Sequence, residues 1–297
     1  MTGGGESRGS GELAATVTRL CESSRTHFSN PYEAVTRWPP TVARDQWFTS
    51  PELVSLHGTD WWAGLDEAGR QRLSFWEAVN FYSLNIHGEK PLVEGLAHRL
   101  YRRGSEVVDP YLHHFLDEEN KHMVYFGEFC TRYAGRIYPE KKLVFPREYA
   151  PGEEEFLFFA KVLVFEELVD VYNVEMSLDQ RLHPIARQIN SLHHLDEARH
   201  LVFGRRLVAE LFHRYAPQWS AATLDGVRAY LAGYLGATWK EYYNPDVYRD
   251  AGLPGDPYEI AETAFAHDAA RTHRARVSAR CLRTLFETGI LTEAPAL

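Results

Sequence analysis

Glu118-Glu119-Asn120-Lys121-His122 and Asp196-Glu197-Ala198-Arg199-His200 state one chemical pattern twice: an acid, a glutamate, two spacers ending in a cation, and a histidine. In a helix a glutamate and a histidine three residues apart lie on one face, one turn from each other, so both reach toward a single metal ion. Two such pairs on two helices amount to half of a dinuclear carboxylate site in a helical bundle.

The sequence around the repeat has the matching periodicity. From about Gly69 onward apolar residues recur with period 3.6, which predicts helices over residues 69–103, 110–135, 152–178, 183–216, 221–243 and 257–288. The breaks between them carry Gly104, the stretch 135–151 with Pro139 and Pro146, Pro184, Pro217, and the stretch 244–257. Period-2 alternation is almost absent, so the expected fold is all-α.

Four of these helices place an acid in the apolar seam. Glu119 and His122 fill a gap between Leu112, Phe115 and Met123, Phe126, Phe129, and His193, Glu197 and His200 follow Ile185, Ile189 and Leu192. Glu89 interrupts Phe75, Val79, Tyr82, Ile86, Val93, Leu96 and Leu100, and Glu166 sits in or beside the seam Phe158, Val162, Phe165, Val169, Tyr172, with Glu167 as its rival. Buried ionised carboxylates cost several kcal/mol each unless paired or bound to metal. Four glutamates are neutralised by two divalent ions. Imidazole and carboxylate donors without thiolate favour iron or manganese over structural zinc.

Glu89 to Glu119 is 30 residues and Glu166 to Glu197 is 31, each the length needed to climb a helix, turn and return to the same height at about 1.5 Å per residue. Glu118 and Asp196 precede ligand glutamates and are placed to accept hydrogen bonds from the far nitrogens of the ligand histidines.

Composition narrows the remaining classes. Among 297 residues, 44% hydrophobic, no apolar run approaches the length of a bilayer span, and no signal peptide is evident, so a cytoplasmic protein without a membrane partner is expected. A net charge of -9 with scattered basic residues argues against nucleic acid, and Cys21, Cys130 and Cys281 fit neither a disulfide framework nor a thiolate site. Small-molecule chemistry is left. Residues 1–12, rich in Gly and Ser, read as a disordered tail, 13–68 as a wrapper segment broken by prolines, 69–243 as the metal-carrying bundle, and 244–297 as a helical extension of the same domain.

With these residues in place, the stretch 70–215 resembles the non-haem di-iron N-oxygenases typified by p-aminobenzoate N-oxygenase, a branch of the ferritin-like superfamily. That branch adds a third histidine in a His-x-x-x-Glu-x-x-His run, which residues 193–200 match position for position. The resemblance implies a ferritin-like four-helix bundle with extra terminal helices. Its metal ligands would be Glu89, Glu119, His122, Glu166, His193, Glu197 and His200, with Glu166 preferred to Glu167 by its 27-residue distance to His193. Gly88 and Pro91 predict a kink or bulge at Glu89, with Glu94 as fallback. No Arg or Lys occurs in 78–88, so an anionic aminobenzoate has no evident partner there.

As function, the resemblance implies a di-iron monooxygenase of natural-product metabolism. It would bind O2 as a peroxo species between two irons, or manganese as the alternative, and oxygenate a small-molecule amine to hydroxylamine, nitroso or nitro product. An external reductase or ferredoxin would supply electrons, the chain would form a homodimer, and Phe81, Phe126 and Val169 would line the pocket. A di-iron C-hydroxylase or desaturase would use the same ligands, and a ferritin-like ferroxidase is a further alternative. A radical-bearing subunit would need a tyrosine one turn beyond His122, where Phe126 stands.

Overall fold

The computed structural model describes residues 4–35, 38–140 and 148–297. Its helices are α1 (Gly4–Thr26), α2 (Asp60–Ala63), α3 (Glu67–Arg99), α4 (Asp109–Phe129), α5 (Glu153–Leu178), α6 (Pro184–Tyr215), α7 (Ala221–Tyr242), α8 (Pro245–Asp250), α9 (Pro257–Ala266) and α10 (Asp268–Glu287). No strand forms among the described residues, and the single ladder-type contact is an isolated bridge between Trp47 and Leu182. The fold is all-α, as the periodicity implies, and is arranged as the ferritin-like bundle that the resemblance implies.

The bundle consists of two hairpins, α3 with α4 and α5 with α6, each pair packed along its length. Their seams bury Phe75, Val79, Tyr82 and Ile86 from α3, Phe115, Phe126 and Phe129 from α4, Leu163 and Val164 from α5, and Ile189, Phe203 and Leu207 from α6. Helix α3 opens with Asp66 accepting a hydrogen bond from Gly69 N (2.7 Å), an N-cap that satisfies one of the unpaired first-turn amides. It then runs as α-helix through Pro91 to Arg99, with no π bulge at Glu89. Beyond the proline the seam passes through Leu92 rather than Val93. A Cβ on Gly88 would lie 2.7 Å from the Phe165 ring, and Gly95 is covered in the same way by Phe158, so the two glycines seat two rings of α5 one helical repeat apart.

Three boundaries differ from the sequence reading. Helix α1 begins at Gly4, inside the stretch 1–12 whose composition gives no reason for structure; Leu13, Val17, Leu20 and Cys21 anchor it against α4 and α6, and the helix extends back from that anchor. Residues 130–134, expected to continue the α-helix, form a π turn ended by Gly135 at φ 67°. The expected helix 257–288 is two helices, because His267 leaves helical geometry and caps α10, its Nδ1 accepting from Ala269 N (3.1 Å). The wrapper segment reaches across the bundle: His183 N donates to Trp47 O (2.7 Å) and Phe48 N to Ser74 Oγ (3.1 Å), tying the α5–α6 turn to α3.

Candidate metal centre

Glu89, Glu119, His122, Glu166, His193, Glu197 and His200, from four helices, converge at one level of the bundle, all buried. Their donor atoms form three overlapping sets that could each hold a metal ion: Glu89, His122 and His193; Glu119, His122 and Glu197; and Glu119, Glu166 and His200. Glu197 Oε1 lies 2.9 Å from His193 Nε2 and 3.4 Å from His200 Nδ1, and Glu89 Oε1 lies 3.8 Å from both His122 Nδ1 and His193 Nε2. His200 Nδ1 is 2.9 Å from Glu119 Oε1 but is not aligned to hydrogen-bond with it.

Both oxygens of Glu89, both of Glu166, Glu119 Oε1, Glu197 Oε2, His122 Nδ1 and His200 Nδ1 are buried without a hydrogen-bond partner. Natural interiors rarely leave one such atom unpaired, and here eight face one another. Two cations would satisfy them, so the residues fit a dinuclear centre. Glu167, the rival of Glu166, faces away: Arg205 Nε and Arg280 Nε each donate to it at 2.6 Å. The Glu94 side chain, three-quarters exposed, points to solvent beside His98 and is no fallback ligand.

Charge is distributed unevenly among the donors. Burial, with the Glu119 carboxylate next in weight, holds Glu89 well above the usual carboxylate range. Burial and then Glu197 do the same to Glu166. Burial also opposes ionisation of Glu119 and Glu197, yet His200 and the other neighbouring imidazoles overcome it and bring both below their ordinary value. His122 is carried up to about 10, because its contacts with Asp196 and Glu119 outweigh the cost of burial. Burial and the neighbouring His122 lower His193.

A second layer holds the histidines. His200 Nε2 donates to Glu118 Oε2 (2.9 Å) and His122 Nε2 to Asp196 Oδ2 (3.3 Å), so each acid steadies the histidine of the other helix. Arg199 bridges the two acids, 2.5 Å from Glu118 Oε1 and also paired with Asp196, while Lys121 Nζ lies 3.1 Å from Asp196 Oδ2. Lys121 is only 1% exposed. The spacer cations of the two motifs thus neutralise the acids that orient the histidines. Sequence reading missed this, since a lysine or arginine beside a metal motif looks like a solvated face until the partner helix is placed.

It also missed Asn173, whose Nδ2 lies 2.8 Å from His193 Nδ1. Of the expected pocket residues, Phe126 lies edge-on to His193 with ring centroids 4.9 Å apart. Phe81 stacks on Tyr172 at 5.3 Å, and Val169 is buried in the core. A cleft is lined by Leu84, His87, Phe165, Thr238, Glu241 and Tyr242, among others, with Phe165 next in sequence to Glu166. Tyr125 turns outward to Ser29 (3.4 Å), and Phe126 stacks on Tyr82, so no tyrosine occupies the position a radical subunit would use.

A ferritin-like bundle with carboxylate and imidazole donors from four helices defines the class: a candidate dimetal carboxylate protein. The model of the p-aminobenzoate N-oxygenase AurF family matches residues 11–289, nearly the whole chain, and the protein belongs to that family. It is also similar to the uncharacterised proteins Rv0885 of Mycobacterium tuberculosis and Mb0909 of Mycobacterium bovis, 25% identical over 214 residues in each case. The match covers 68% of this chain and 62% of each relative, so the chain spans under two thirds of the length of the curated relatives it matches.

Proposed function

We propose that the protein is a di-iron oxygenase that N-oxygenates a small-molecule amine. The observation that carries this reading is the set of eight unpartnered donor atoms, from Glu89, Glu119, His122, Glu166, Glu197 and His200, facing one another in the core. In this reading Glu89, Glu119, His122, Glu166, His193, Glu197 and His200 hold two iron ions. When bound, that pair supplies the redox chemistry that reduces O2 and delivers oxygen to nitrogen. Loading requires neutral imidazoles and ionised carboxylates, so His122 and His200 give up protons as metal enters. Glu118 and Asp196 then keep the Nε2 protons of those histidines, fixing Nδ1 as the coordinating atom.

The remaining chain residues orient substrate and exclude water. Phe165, next in sequence to Glu166, lines the cleft and packs on Gly88, next to Glu89. The described cleft residues include Glu140 and Glu241 and neither Lys nor Arg, which favours an amine without a carboxylate of its own. An external reductase or ferredoxin would deliver electrons, and a homodimer in the cytoplasm, serving natural-product metabolism, completes the reading. Among the described residues no helix is long and apolar enough to cross a membrane.

The test is anaerobic loading with Fe2+, metal analysis, and then exposure to O2 with a chemical reductant and a panel of amines. About two irons per chain and a hydroxylamine, nitroso or nitro product support the proposal. Two irons with hydroxylated carbon or a new double bond would move the assignment to a C-hydroxylase or desaturase. Iron uptake with oxidation but no organic product would indicate a ferroxidase. Well under two irons per chain, unchanged by His193→Ala, would end the di-iron reading.

A further inference from the structure

The three histidines of the cluster do not share one kind of support. His122 and His200 each present their far nitrogen to a carboxylate, Asp196 and Glu118. His193 presents its far nitrogen, Nδ1, to the side-chain amide of Asn173, from α5, at 2.8 Å, and both residues are buried. Its Nε2 faces Glu197 Oε1 at 2.9 Å and Glu89 Oε1 at 3.8 Å. The amide nitrogen of Asn173 points at the ring while the amide oxygen is buried without a partner.

A neutral imidazole has one N–H and one lone pair. With the Asn173 amide nitrogen donating to Nδ1, the ring proton belongs on Nε2, where Glu197 accepts it. That arrangement suits the metal-free cluster and blocks coordination, because the nitrogen facing the other ligands has no lone pair. Turning the amide by 180° about its terminal bond presents the orphaned oxygen to Nδ1, which then carries the proton and leaves the Nε2 lone pair free. The two amide orientations occupy nearly the same volume. The exchange breaks one hydrogen bond and makes another: the Nε2 proton leaves by way of Glu197 as metal enters, and Nδ1 takes up a proton from solvent, so the ring stays neutral.

We propose that Asn173 is a positioning residue that selects the coordinating tautomer of His193 by rotation of its amide when metal binds. The inference rests on His193 being a ligand in the proposed centre. A neutral amide withdraws less proton density from the ring than a carboxylate does, which makes His193 the weakest of the three imidazole donors and the one most easily released. The other two histidines are locked by acids that are themselves paired with Arg199 and Lys121.

The test uses Zn2+ as a diamagnetic probe on the 15N-histidine-labelled full chain. Long-range 1H–15N spectra report which ring nitrogen of His193 carries the proton, with His193→Gln identifying its signals. The metal-free protein should show protonated Nε2 and the Zn2+-loaded protein protonated Nδ1. Asn173→Leu, which removes the acceptor, should lose the Nδ1–H signature and weaken one of two Zn2+ sites about 10- to 100-fold in competition with a chelator, the usual cost of an outer partner. Asn173→Asp, isosteric and a stronger acceptor, should restore Nδ1–H and bind metal at least as tightly as the wild type. The proposal is overturned if the loaded wild-type ring stays protonated on Nε2, or if Asn173→Leu keeps the wild-type 15N pattern and affinity. If Asn173→Leu does not fold, the wild-type and Asn173→Asp spectra decide. Failure of the wild type to bind any metal would fall on the di-iron reading itself, a result separate from a bound metal with the wrong tautomer.

Discussion

Replacing Glu166 by leucine should make the metal-free protein more stable and the metal-loaded protein less stable, so that the order of the two proteins reverses on adding metal. Both Glu166 oxygens are buried without a partner, and burial and then Glu197 hold its carboxyl well above the ordinary range. A buried unsatisfied polar group costs about 1–3 kcal/mol, and a leucine of similar volume removes that cost. At about 2.1 cal/mol/K per residue, 297 residues give an unfolding entropy of about 0.6 kcal/mol/K, so the gain corresponds to about 2–5 °C in Tm. In the loaded state the wild type gains about 4.1 kcal/mol per site when free metal is about 1,000-fold above Kd, about 7 °C, and the variant forfeits that gain at the site Glu166 completes. Thermal melts at pH 7 in chelator and in excess Zn2+, with metal content measured in parallel, supply both halves. A variant less stable than wild type in chelator as well as in metal would refute the reasoning, because it would mean that Glu166 stabilises the fold without a cation.

Glu77, pushed up to about 8 chiefly by burial despite the hydroxyl and amide of Ser55, should give the protein a pH-dependent stability. Its folded value lies above its unfolded one, so the contribution is full below about pH 4.5 and declines as pH rises through 8, by up to about 1.4 kcal/mol per pH unit. Urea melts of Glu77→Gln at pH 5, 6.5 and 8 should lose that slope. Arg199→Met leaves Glu118 and Asp196 facing each other with one cation fewer, and chemical denaturation should register a loss of about 3–5 kcal/mol, the usual effect of breaking a buried ion pair. Gly88→Ala drives a methyl into the Phe165 ring. Overpacking of this kind costs about 1–3 kcal/mol, and because Phe165 adjoins Glu166 the variant should also hold less metal per chain by elemental analysis. Unchanged metal content would show that α5 relaxes at that point without moving its ligand.

The convergence of Glu89, Glu119, His122, Glu166, His193, Glu197 and His200 was legible because an acid or histidine inside an apolar stripe has no bland explanation at four matched positions. Glu118 and Asp196 were legible as partners of the histidines from their place beside Glu119 and Glu197. Lys121, Arg199 and Asn173 were not. Their partners lie on other helices, and helical periodicity places them at the margin of a seam, where solvated and buried side chains look alike. The split at His267 escaped for a related reason: a histidine cap carries no breaker such as Gly or Pro, and the apolar stripe continues on both sides of it. The early start of α1 depends on contacts of Leu13, Val17, Leu20 and Cys21 with two distant helices, which composition alone does not report.

The exchange of supports between α4 and α6, in which Glu118 steadies His200 and Asp196 steadies His122, has a consequence for assembly. Neither hairpin carries a self-sufficient half of the centre. A chain fragment ending after α4 would contain Glu89, Glu119 and His122 but nothing to orient that histidine, and the complementary fragment would have the mirror-image defect. If the proposed centre binds metal, its uptake would act as a proofreading step that registers only chains whose two hairpins have docked in the correct register. A slip of one helical turn between α4 and α6 would unmake both supports at once, and the misassembled bundle would lack both oriented histidines of the proposed centre.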